Sequence, residues 1–184
     1  MAIKRLTIDG FGQLELNQVA FRRDGRIEAQ CRLSDVDFES VPAENGMLLA
    51  VDNIERIIKV PVSGEDFPIA LNYTAEHMYD EREQGLKNFK LERNSFLPRL
   101  GYLSVQDKFT TNCVCYDDGE FADDEALKEA YKGNTKLYGG ISDNGAILVS
   151  ATKPVEGPVL LAVKGTGAGS MPDGQFGIKF QVIA

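Results

Sequence analysis

Cys113 and Cys115 lie two positions apart, a spacing that puts both thiols on one side of a strand. With Cys31 and His77 they are the chain's whole stock of thiol and imidazole ligands. A structural zinc site wants four ligands at recognisable spacing, so these residues read as reduced, buried thiols with no metal and no disulfide framework. His77 stands among Glu76, Tyr79 and Asp80 and could act as a general base. No Gly-x-Ser-x-Gly or Ser-x-x-Lys nucleophile accompanies it, which favours a surface or helix-end role. Gly165-Thr166-Gly167-Ala168-Gly169-Ser170 has the glycines of a phosphate loop but not its Lys-Ser/Thr ending or its helix. It reads as an inter-strand loop. Asp117, Asp118, Glu120, Asp123, Asp124 and Glu125 form an acidic run out of register for a calcium loop, so a solvated face with a helix cap is the expectation. No cofactor and no catalytic residue follow from these groups.

Charge placement is more suggestive. Lys plus Arg is 20 and Asp plus Glu is 28, a net charge of −8. That sign repels phosphate backbones and argues against nucleic acid as a direct partner. Against this background Arg82, Lys87, Lys90, Arg93 and Arg99 fall in one stretch, interleaved with Phe89, Leu91, Phe96 and Leu97. Exposed ion pairs contribute only ~0.2–1 kcal/mol each, so at a contact the apolar members would supply most of the binding and the charges the orientation. These nine residues are the candidate partner interface, with the acidic run of a neighbouring copy as one candidate complement.

The elements that position these groups are mostly strands. Hydrophobic content of 43% with 26% charged residues is ordinary globular composition, and no apolar run approaches the ~20 residues of a membrane helix. The N-terminus has basic residues but no apolar core of a secretory signal. Leu103 to Cys115 alternates with period two, broken at Gln106-Asp107-Lys108, and predicts two short strands with one buried face and a tight turn. Residues 3–8 and Leu14–Leu16, around Gly10-Phe11-Gly12, predict an N-terminal hairpin, with a bulge or strand end near Asn17-Gln18. Asp24-Gly25 is a turn before one clean strand carrying Ile27, Ala29, Cys31 and Leu33 on its inner side. Met47–Val51 reads as a central strand, Ile54–Val60 as its return, and Phe67–Tyr73 as an edge strand because of Pro68. Asp123–Lys132 is the clear helix, capped by Asp123 and stopped by Gly133, and Ala75–Gln84 can form a second.

Beyond the helix the pattern is β again. Gly139-Gly140 and Asp143-Asn144-Gly145 read as turns, Ala146–Thr152 and Val159–Val163 as strands, and Phe176, Ile178, Phe180 and Val182 as the inner face of the last one. The fold class is therefore mainly β, an antiparallel sandwich or barrel with one short helix near 123–132 and a second near 75–84. The organisation is an N-terminal β-rich region at 1–73, a helical or extended connector at 74–95 and a C-terminal barrel-like region at 96–184, or one domain throughout.

Three phrases carry a resemblance. They are Leu-Thr-Ile-Asp-Gly-Phe-Gly-Gln-Leu-Glu-Leu at 6–16, Phe-Leu-Pro-Arg-Leu-Gly-Tyr-Leu-Ser-Val-Gln-Asp-Lys-Phe-Thr-Thr-Asn at 96–112, and Met-Pro-Asp-Gly-Gln-Phe-Gly-Ile-Lys-Phe-Gln-Val at 171–182. Together they resemble small structural proteins of tailed bacteriophages and prophages, of the sort encoded beside the major capsid gene. The resemblance implies a non-enzymatic virion component, capsid-associated or of head-decoration type, assembled in the bacterial host cytoplasm. Its implied partners are other copies of itself and the phage major capsid protein, with neither nucleic acid nor membrane in direct contact. A small-molecule or carbohydrate-processing enzyme on a β-barrel is the alternative, marked by a pocket where His77, acidic residues and tyrosine converge.

Overall fold

The structure, a computed structural model, describes residues 2–74, 86–133, 135–163, 171 and 173–184. Strands β1 (Ile3–Arg5) and β2 (Leu14–Gln18) open the chain. Then β3 (Ile27–Glu28), β4 (Arg32–Leu33), β5 (Leu48–Asp52), β6 (Ile57–Lys59), β7 (Ile69–Asn72) and β8 (Leu100–Gly101) make a six-stranded sheet in the order β3-β8-β7-β5-β6-β4. The remaining strands are β9 (Lys108–Thr111), β10 (Val114–Asp117), β11 (Tyr138–Gly140), β12 (Ile147–Ser150), β13 (Leu160–Val163) and β14 (Ile178–Val182). They join β1 and β2 in an eight-stranded sheet, β1-β10-β12-β11-β13-β14-β9-β2, that curls into a half-barrel. One α-helix, α1 (Asp124–Lys132), and a 3-10 turn at Leu86–Asn88 complete the described residues. The expected second helix at 75–84 lies outside them.

The mainly-β class and the capped helix are as the sequence predicts. The Asp123 side chain accepts from the Ala126 N–H, Gly133 ends the helix, and Leu127 and Tyr131 are its buried side. Strand β5 is buried along its whole length, and β14 alternates buried with half-buried residues. The register of β2 on β9 shifts between Glu15 and Gln18, where the change of phase places it.

Several connections differ from expectation. β1 and β2 form no hairpin; they are the two opposite edges of the eight-stranded sheet. The single strand expected at 27–33 is two pieces. The Glu28 carboxylate accepts from the N–H groups of Gln30 (2.5 Å) and Cys31 (3.0 Å), which turns the chain there and leaves Ala29 exposed and Ile27 half-buried. β7 is central, not an edge, because Pro68 precedes it and offers only its carbonyl, to Val51 N–H. Gly139-Gly140 is no turn but part of β11. A Cβ on Gly139 would stand 2.7 Å from Ile147 and 2.9 Å from Phe180, so glycine there serves close packing. Two pairings, β4 with β6 and β10 with β12, are parallel. Sheet membership crosses positions 73 and 96, since β1 and β2 sit in the C-terminal sheet and β8 in the other.

The stretch from Phe109 to Tyr116 is where the two layers meet. Val114 and Tyr116 enter a core shared with Leu127 and Tyr131 of α1, while Cys113 and Cys115 enter a second core with Leu49, Val51 and Ile58 of the six-stranded sheet. The expected single buried face is thus two buried faces. Leu103–Val105 is not a strand: Val105-Gln106 is the turn, with Gln106 at φ 81.

Candidate partner interface

The basic segment is stitched to the body before it can meet anything else. Leu91 exchanges two 2.9 Å backbone hydrogen bonds with Ala43, and Phe89 and Leu91 are buried. These two side chains are packed among the chain's own residues, so the exposed apolar members of the candidate set are others. Lys87 pairs with Asp9, and its carbonyl accepts from Phe11 N–H at 2.6 Å. Lys90 pairs with Glu92 at 2.8 Å and holds that carboxyl below its ordinary pKa. Arg93 donates to the Asp35 carbonyl at 2.9 Å, and the Arg99 guanidinium lies over the Tyr73 ring at 5.9 Å. Arg82 lies outside the described residues.

Phe96 and Leu97 remain. They are 50% and 47% exposed, side by side, and border a shallow depression with Ala29 and Arg99. A groove of about 460 Å³ runs between residues 38–42 and 90–95, with Glu39, Glu92 and Arg93 on its walls. Large apolar side chains left half in water beside a groove and two arginines have the make-up of a contact patch: apolar centre, polar rim.

The acidic run does not present a matching free face. Asp118 accepts from Ala2 N–H, Glu120 from Ala151 N–H, and Asp123 caps α1. Asp124 accepts from Thr7 N–H (3.0 Å) and Tyr116 Oη (2.7 Å); burial would raise its pKa, but these hydrogen bonds outweigh it and hold it low. Glu125 pairs with Lys128 at 2.7 Å. Of the run, Asp123 is the expected helix cap, while Asp118, Glu120 and Asp124 tie it to Ala2, Ala151 and Thr7.

All three cysteines are free and buried. Desolvation pushes Cys113 up to about 12 and Cys115 to about 11, so both are neutral thiols near pH 7 and poor nucleophiles. Arg5 lies over Cys113 at 3.7 Å but is claimed by the Glu44 carboxylate at 2.9 Å, which also accepts from Gly12 N–H. Among the described residues no cluster of three or more His, Cys, Asp or Glu could hold a metal ion. His77 and the Gly165–Ser170 loop lie outside the described residues.

The three phrases behind the resemblance come together in space. Asp9 N–H donates to Gln175 Oε1 (2.8 Å), whose amide returns a bond to the Asp9 carbonyl (3.1 Å). Gln13 donates to Asn112 Oδ1 through its backbone (2.7 Å) and to Asp173 through its side chain (2.8 Å), while Thr111 Oγ1 reaches the Gln13 carbonyl (2.6 Å). Gly10, at φ 84, has the Lys87 carbonyl oxygen 2.1 Å from where a Cβ would be. The phrases are thus a structural knot that seats the 86–99 segment. Sequence reading missed a second exposed apolar surface, at Val62 and Val155, because its two loops are 93 residues apart. No family model, curated protein or solved structure matches the chain.

Proposed function

We propose that this chain is a structural protein of tailed-phage or prophage virions, capsid-associated or head-decorating, that acts by binding copies of itself and the major capsid protein. The class rests on the sequence resemblance. The observation that carries a binding role is the exposed Phe96–Leu97 pair between Arg93 and Arg99, on a segment anchored by the Leu91–Ala43 bridge and the Lys87–Asp9 pair. A rigid backbone presenting apolar side chains loses little freedom on binding, which is what a repeated lattice contact requires. On this reading the protein needs no cofactor and meets neither nucleic acid nor membrane.

The test is co-pelleting with capsids. Phe96→Ser with Leu97→Ser should abolish pelleting at low and high salt. Lys90→Glu with Arg93→Glu should weaken it at low salt and much less at high salt, where rim charges are already screened. Wild-type protein that stays in the supernatant at both ionic strengths sinks the proposal.

A further inference from the structure

The second apolar surface is a hollow of about 560 Å³ between loop 61–64, which leaves β6, and loop 154–157, which joins β12 to β13. Pro61, Val62, Ile141, Pro154 and Val155 line it, with Val62 61% and Val155 96% exposed. It is held open by the chain itself: the Glu156 carboxylate accepts from Gly64 N–H (2.8 Å) and Ser63 Oγ (3.1 Å), tying the two loops across the sheets. Its border is acidic. Asp143 and Glu156 line it and Asp66 lies beside it, and none of the three forms an ion pair among the described residues.

The Phe96–Leu97 surface is its complement, apolar side chains with Arg93 and Arg99 nearby. The two surfaces share no residue. Residues 96–97 lead into β8 and loop 61–64 leaves β6, three ladders away in the six-stranded sheet, about 14 Å at ~4.8 Å per strand. We propose that the hollow receives the Phe96–Leu97 pair of a second copy, with the Asp143, Glu156 and Asp66 carboxylates facing that copy's arginines. Apolar centre meets apolar centre and acidic rim meets basic rim, the arrangement that fixes orientation between partners. The proposed contact is head-to-tail: a protomer bound through its pair still has its own hollow open to the next copy, so the assembly grows into a ring or a row instead of stopping at a dimer.

This rests on the reading of the chain as a self-associating protein, and mixing separates the two. One variant loses the pair (Phe96→Ser, Leu97→Ser) and another blocks the hollow (Val62→Asp, Val155→Asp). All four residues are surface-exposed, and circular dichroism checks that both variants stay folded. By sedimentation wild-type protein should be larger than a dimer, each variant alone a monomer, and an equimolar mixture of the two a one-to-one dimer that goes no further, since one intact pair and one intact hollow remain. Wild-type protein that is monomeric alone but still pellets with capsids overturns the head-to-tail contact and leaves the virion role standing. A mixture no heavier than its separate components also overturns it. Wild-type protein that neither self-associates nor pellets overturns both.

Discussion

The segments 89–92 and 109–116 look alike in sequence and end in different surroundings. Both mix large apolar residues with polar ones, in strict alternation in the first and around a Thr-Thr-Asn run in the second. In the first, Lys90 and Glu92 point into water and pair with each other, and only Phe89 and Leu91 go inward. In the second, both sets are buried, because the six-stranded sheet covers one face and the α1 side of the core covers the other. What separates them is the chemistry of the polar set. Thr110, Thr111 and Asn112 are uncharged and can be buried once hydrogen-bonded: Thr110 Oγ1 accepts from Asn17, Thr111 Oγ1 donates to the Gln13 carbonyl, and Asn112 Oδ1 accepts from Gln13 N–H, with only the Asn112 amide nitrogen left without a partner. A lysine and a glutamate at the matching positions could not be.

The contrast is sharpest for stability. Phe109→Ala removes a fully buried ring packed on Phe180 and should cost about 3–5 kcal/mol in denaturant unfolding; a loss below ~1 kcal/mol would mean that the face is not sandwiched. Glu44→Ala leaves Arg5 without its carboxylate and Gly12 N–H without an acceptor, beneath the same strand, and should cost on the order of 3 kcal/mol. A thiol whose folded pKa is raised stabilises the fold fully below its unfolded value and loses that contribution as pH climbs through the folded one. Cys113 rises from 9.0 to about 12 and Cys115 from 9.0 to about 11, so stability should fall between pH 9 and 12, and Cys113→Ala should flatten that slope in melts recorded across the range. Lys90→Ala on the other segment should change stability by no more than ~0.5 kcal/mol, because an exposed pair contributes so little; a shift several times larger in the same melts would show that the segment is held by its charges.

Much of the architecture could be read from local chemistry. The cap at Asp123, the stop at Gly133, the turns at Gly25, Gly46, Gly145 and Gly174 and the apolar run Leu48–Val51 of β5 are each set by residues within a few positions. Long-range choices could not be read. Nothing in Leu6–Leu16 says that β1 and β2 part to opposite edges, and nothing in Gly139-Gly140 distinguishes a turn from a strand that must let Ile147 and Phe180 approach. The candidate interface was half legible for the same reason. Phe96 and Leu97 stand out on the surface, while Phe89 and Leu91, of the same type and a few residues away, are buried, Leu91 beside Ala43 and Phe89 beneath Phe96. The hollow at Val62 and Val155 depends on a carboxylate tie between distant loops and left no local mark.

The strand order also sets a timetable. The six-stranded sheet draws only on residues 27–101, so all of its strands exist once the ribosome has passed β8. The eight-stranded sheet cannot be completed until Val182 has been made, because β14 is the strand that joins β13 to β9, and β1 must wait for a partner more than a hundred residues downstream. One layer can therefore assemble during synthesis before the other, which waits until β14 has been made.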